Sequence, residues 1–208
     1  MTNAYNSIYL DKAVRNVGNM LHDAVYEYGE DGGQFLQKFL QSGIAEQIEA
    51  GNPKYIAGKS GAELYADVVE AVSGQEAEPL VIETQGRSDV YWTGWILAYY
   101  QWYSGRSFRD ILEAIPYEEL RGRYDTLHEA DVQKALDVLD AHMEQKESKL
   151  KMVRKRCGLT QEELSARSGV SLNTIRAYER KAKDIRKAQM DIVLRLTNGL
   201  QCRIEDIL

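Results

Sequence analysis

The chain has 208 residues, 44% of them hydrophobic, and a formal net charge of -6, which allows one large domain or a small domain joined to a larger one. Its start, "MTNAYNSIYLDKAVRN", has neither the basic nor the apolar region of a secretion signal, and no stretch approaches the apolar length of a bilayer span, so a cytoplasmic protein with no membrane partner is expected. Cys157 and Cys202 lack CxxC or Cys/His spacing, which argues against a zinc site or a disulfide framework and leaves both as expected core hydrophobes.

The first 145 residues read as mainly helical. Leu10, Val14, Val17, Leu21 and Val25 fall on one stripe, and "QFLQKFLQSGIAEQIEA" gives a second helix. "GNPKYIAGKSGAEL" carries the GKS of a phosphate loop without its spacing: six residues separate Gly51 from Gly58 where a P-loop has four, and the preceding segment is helical where a strand is required. Ser60 with Glu63 is instead a capping box opening "AELYADVVEAV". "EAVSGQEAEPLVIETQGRSD" is the expected internal loop, within which "PLVIET" has strand character.

Next comes "SDVYWTGWILAYYQWYSGRSF", where Trp92, Trp95, Tyr99 and Trp102 recur at helical spacing and Tyr91, Tyr100 and Tyr103 fill another side. Such a helix is either a buried core helix or the wall of a groove that anchors a protein partner or ligand, and both readings stay open. His128, Glu129 and Asp131 lie close together in "LHEADVQKALDVLDAHM". With no second His or Cys group to support them, neither a metal nor a cofactor is expected, and the segment opens an amphipathic helix leading to the C-terminal region.

Charge divides the chain. Residues 1–145 hold 11 Lys and Arg against 24 Asp and Glu, a net of -13, whereas residues 146–208 hold 15 against 8, a net of +7. A nucleic-acid-binding module joined to an acidic regulatory or partner-binding domain has this asymmetry. From Ser148 a helix places Leu150, Val153 and Cys157 on one face and Lys149, Lys151, Arg154 and Arg156 around the other, stopping at Gly158. Thr160 with Glu163 forms a capping box for a second helix, with Leu164 and Ala166 inward and Gly169 at its end. Ser171 caps a third helix, 171–181, whose apolar positions Leu172, Ile175 and Tyr178 are few for its length. A fourth helix is expected from Ile185 to Leu196 and a short fifth at "RIEDIL".

"LTQEELSARSGVSLNTIRAYER" followed by "NGLQCRIEDIL" resembles the helix-turn-helix domain of the phage-repressor-like (XRE, Cro/C1-type) regulators, over roughly Glu147 to Leu208. Gln161, Glu163, Leu164, Gly169, Ser171, Ile175, the Tyr178–Glu179 pair and Leu200 carry the likeness. The family commonly has a glycine soon after the Glu179 position and a proline before its fourth helix, where this chain has "RKAKDIRKA". The resemblance implies a lambda-repressor-like fold whose third helix enters the major groove of a double-stranded operator. Asn173 then suits a bidentate contact to adenine and Arg176 one to guanine. Gln161, Ser171, Thr174 and Arg180 match positions that touch phosphate or neighbouring base edges. Leu172 either meets a thymine methyl or is buried.

The expected architecture is all-α: an acidic helical domain over 1–145, then a five-helix helix-turn-helix domain over 146–208. The leading function is a sequence-specific transcriptional regulator acting as a homodimer. The alternative is an antitoxin that neutralises a protein toxin through residues 1–145, with Trp92, Trp95, Tyr99 and Trp102 as anchors, and represses its own operon. The upstream region is loosely similar to domains of antitoxin-type regulators, without a diagnostic motif. An enzyme needs a nucleophile, base or metal constellation, and no paired motif offers one.

Overall fold

Serine, aspartate and asparagine cap many of the helix starts in a computed structural model that describes residues 3–79, 88–146 and 148–208. Every regular element among the described residues is helical. The strand character of "PLVIET" falls, from position 80 onward, outside them. The chain divides into two units, Met1–Asp140 and Ala141–Leu208. No helix among the described residues is long and apolar enough to cross a membrane.

The first unit begins with α1 (Leu10–Tyr26), α2 (Gly32–Gln41), α3 (Ile44–Glu49), α4 (Pro53–Ile56) and α5 (Gly61–Ser73). Asp31 caps α2 by accepting from Gln34 N at 2.8 Å, and Ser60 and Glu63 form the expected capping box on α5. The single helix expected over "QFLQKFLQSGIAEQIEA" is two. Gly43, at φ +78°, breaks it into α2 and α3, because that left-handed geometry is open to glycine and ends the helical hydrogen-bond ladder.

Then follow α6 (Asp89–Ser104), α7 (Phe108–Ala114), α8 (Tyr117–Arg121), α9 (Tyr124–Leu127) and α10 (Val132–Lys146). The aromatic helix α6 is apolar around most of its circumference, so it takes the centre of its unit, where Val90, Ile96, Leu97 and Tyr100 are buried. It packs on α1. A Cβ on Gly94 would lie 2.7 Å from the Val17 carbonyl oxygen and 3.0 Å from Gly18 Cα, so the two backbones meet where neither has a side chain. Of the expected partner anchors, Trp92 and Trp102 are each only 8% exposed, and Trp102 Nε1 donates to the Tyr5 carbonyl at 2.8 Å. Of the two readings left open for this helix, the core one describes Trp92 and Trp102. Trp95 and Tyr99 are half-buried, their rings 5.1 Å apart.

The second unit holds α11 (Lys149–Arg156), α12 (Gln161–Ser168), α13 (Leu172–Glu179) and α14 (Met190–Leu200). Leu150, Leu164, Ile175, Leu196 and Ile207 meet in its core. The expected fourth helix starts later and ends later: Ile185–Lys187 is a 3-10 turn, and α14 begins at Met190. The terminal "RIEDIL" is likewise a 3-10 turn, Ile204–Asp206. Ala166 is exposed, and the inward face of α12 is Leu164 and Ser168. Ser168 is buried because Gly199 of α14 packs against it, where a Cβ would stand 3.1 Å from Ser168 Cβ. Cys157 is exposed, which corrects its expected place in the core, whereas Cys202 is half-buried and packs against the core. Cys157 is the residue after the last turn of α11, and its thiol donates to the Leu200 carbonyl at 3.5 Å.

Candidate nucleic-acid interface

Two helix starts and one turn build the site. The Thr160 hydroxyl accepts from Glu163 N at 3.0 Å while the Glu163 carboxylate accepts from Thr160 N at 2.7 Å, which satisfies two otherwise orphaned donors at the start of α12. Gly169, at φ +67°, closes α12, and Ser165 Oγ donates across the turn to the Val170 carbonyl at 2.7 Å. Ser171 Oγ then accepts from Thr174 N at 3.2 Å and lies 2.8 Å from Thr174 Oγ1. Both hydroxyls are thus engaged in holding the start of α13.

With its start fixed, α13 turns Ile175, Tyr178 and Glu179 inward. Asn173 is exposed and its carboxamide makes no hydrogen bond among the described residues. Leu172, Thr174 and Arg176 are half-buried, and Arg180 is exposed just past the helix end. Leu172 therefore stands between the two roles expected of it.

Sequence reasoning missed the group that holds this arrangement together. Arg154, expected on the outer basic face of α11, is 7% exposed, and Glu179 is 4% exposed. Arg154 Nε donates to Glu179 Oε1 at 2.6 Å, Nη2 to Glu179 Oε2 at 2.9 Å, and Nη1 to the Leu159 carbonyl at 2.6 Å. A buried pair repays its desolvation only when nearly every donor and acceptor is satisfied, and here the planar guanidinium fork meets that condition. One signal was available: Glu179 is a lone acid in a basic segment, and it lies four residues from Ile175, on the buried side.

The network continues outward. Gln161 Nε2 donates to Glu179 Oε2 at 2.6 Å, Arg176 Nε donates to Gln161 Oε1 at 3.3 Å, and Arg176 Nη2 meets Glu162 Oε1 at 3.2 Å. Gln161 thus spends both ends of its carboxamide inside the protein, and Arg176 is tethered to the start of α12. Asn173 and Arg180, by contrast, keep their polar groups outside this network.

After α13 the backbone departs from the family pattern without losing its geometry. Lys181 adopts φ +55°, the left-handed conformation a glycine would take. In place of a proline, Asp184 caps the 3-10 turn by accepting from Arg186 N at 3.0 Å. The Arg186 guanidinium, hydrogen-bonded to the partly exposed Asp184 carboxylate, holds that acid below its ordinary range. Arg156, Arg167, Lys183, Arg186 and Lys187 are exposed on this unit.

Residues 150–207 match a helix-turn-helix family model. Neither the curated proteins nor the solved structures contain a match to the chain. With two capped helices joined at Gly169, a buried Arg154–Glu179 pair and a match covering nearly the whole second unit, residues 150–207 form a helix-turn-helix domain of the XRE type.

Proposed function

We propose that the chain is a sequence-specific transcriptional regulator that reads the major groove of an operator with α13. One observation carries this reading: Asn173, exposed and unengaged near the start of α13, has Arg176 one turn behind it. An amide with both a donor and an acceptor suits adenine, and a guanidinium suits guanine. On this reading Leu172 meets a thymine methyl with the part of its side chain that is not buried, and Ser171, Thr174, Gln161 and Arg180 contact phosphate or neighbouring base edges. The +7 of residues 146–208 supplies the sequence-independent attraction.

The chain acts on this reading as a homodimer, because an operator read by one short helix offers too few contacts for selectivity. Met190 and Leu194, 62% and 46% exposed on adjacent turns of α14, are the proposed apolar seam. The antitoxin alternative relied on Trp92, Trp95, Tyr99 and Trp102 as protein anchors. With Trp92 and Trp102 buried, the observations favour the regulator.

Selection from a random duplex pool by the full chain, followed by sequencing, tests the proposal. The expected result is an inverted repeat with half-sites about one helical turn, roughly 10 bp, apart. A pool that emerges without a consensus removes sequence-specific reading.

A further inference from the structure

The first unit contains a cavity of about 550 Å³, within the range of small-molecule sites. Nothing in the DNA-binding reading uses it. Its walls are rings: Tyr91, Trp92 and Trp95 from α6, with Tyr124 and His128 from α9 and the residue after it. Three of the rings are in contact with one another. Trp92 meets Tyr124 edge-on at 5.8 Å, and Tyr124 stacks on His128 at 4.1 Å. A cage of this kind has an already ordered surface, so a ligand entering it orders little more of the protein.

The charges at the rim define the class of ligand. Asp11 and Arg15 both line the cavity, but Arg15 Nη2 donates to Asp11 Oδ2 at 2.6 Å and Arg15 Nε to the Asp11 carbonyl at 3.2 Å, so the two cancel. Glu129 also lines the cavity and is 89% exposed, with His128 Nε2 3.7 Å from its carboxylate. The surrounding residues 1–145 carry -13. Ring faces present their negative quadrupole to a ligand, and the carboxylate at the rim adds to the same sign. The geometry points to a binding site for a flat aromatic organic cation, seated in the cavity that Trp95 and Tyr124 line with its charge toward Glu129. An anion of equal size gains the same apolar burial and meets the ring faces and the Glu129 carboxylate with the wrong sign, while the lining cation Arg15 is already paired with Asp11.

The test uses the full chain and two dyes sharing one ring skeleton, the cation rhodamine 6G and the anion fluorescein, each followed by fluorescence anisotropy. Saturable 1:1 binding of rhodamine 6G is expected, with fluorescein about tenfold weaker or more. Glu129→Gln, an exposed position that leaves the fold untouched, should weaken rhodamine 6G about threefold or more, and Trp95→Ala should abolish its binding with the circular dichroism unchanged. Absence of saturable rhodamine 6G binding, equal binding of fluorescein, or unaltered rhodamine 6G affinity in the Glu129→Gln variant each overturns the proposal.

Discussion

Arg154 and Glu179 face each other across the second unit in a two-pronged pair, at 2.6 Å and 2.9 Å, with almost no exposure of either side chain. The pair ties α11 to the end of α13, and through Gln161 it also holds the start of α12. It thereby fixes the angle at which α13 presents its outer face.

Breaking one side of that pair leaves a buried charge without a partner. Glu179→Ala should cost about 3–5 kcal/mol, and the double replacement Arg154→Met with Glu179→Leu should recover most of it. Hydrogen exchange of the α12 and α13 amides in the full chain measures both. Protection that survives Glu179→Ala would assign the helix angle to the apolar core alone.

The Arg176–Glu162 contact holds an expected base-reading side chain on the protein. Both partners are substantially exposed, 42% and 62%, so the pair is worth less than about 1 kcal/mol. Glu162→Ala should leave Arg176 held by its 3.3 Å contact to Gln161 alone and remove a carboxylate beside the phosphates, raising operator affinity about two- to fivefold. A titration showing unchanged or weaker binding would make Glu162 an orienting group instead.

Lys181 occupies the left-handed region with a full side chain. Lys181→Gly should stabilise the second unit by about 0.5–1 kcal/mol, whereas Lys181→Ala, which removes the same charge and keeps a Cβ, should not. Equal melting shifts for the two variants would locate the effect in charge.

Asp23 is 8% exposed, and burial, with the Glu27 carboxylate adding to it, pushes its carboxyl up to about 6. The folded state therefore holds a proton that the unfolded chain has released by that pH. This contribution is intact below the ordinary carboxylate range and is lost as pH rises through about 6. Asp23→Asn should stabilise the first unit by roughly 2–3 kcal/mol at pH 7 and flatten its pH profile between 4 and 7. The three tryptophans, Trp92, Trp95 and Trp102, all lie in this unit, so tryptophan fluorescence during melting follows it alone. An unchanged profile in the variant would place the proton elsewhere.

Local chemistry was legible where it is short in range. Ser60 with Glu63 and Thr160 with Glu163 are capping boxes in the sequence and in the structure, because every atom involved lies within one helical turn. The turn at Gly169 and the cap at Ser171 were legible for the same reason. Burial was harder. Arg154 sits between basic neighbours, and its inward direction depends on Glu179, 25 residues away, which periodicity alone does not pair with it. The aromatic run in α6 showed its helical spacing but not which rings the α1 contact at Gly94 would leave half-exposed. The late start of α14 followed from Lys181 and Asp184 doing the turn work of the absent glycine and proline, a substitution that composition does not announce.

The central claim is that α13 reads bases, and its most direct measurement compares a selected operator with random duplex at fixed salt for three variants. Asn173→Ala and Arg176→Ala should each lose about 1–3 kcal/mol on the operator and little on random DNA. Arg180→Ala should weaken both by one factor. If Asn173→Ala and Arg176→Ala also weaken operator and random duplex equally, α13 contacts the backbone without reading sequence.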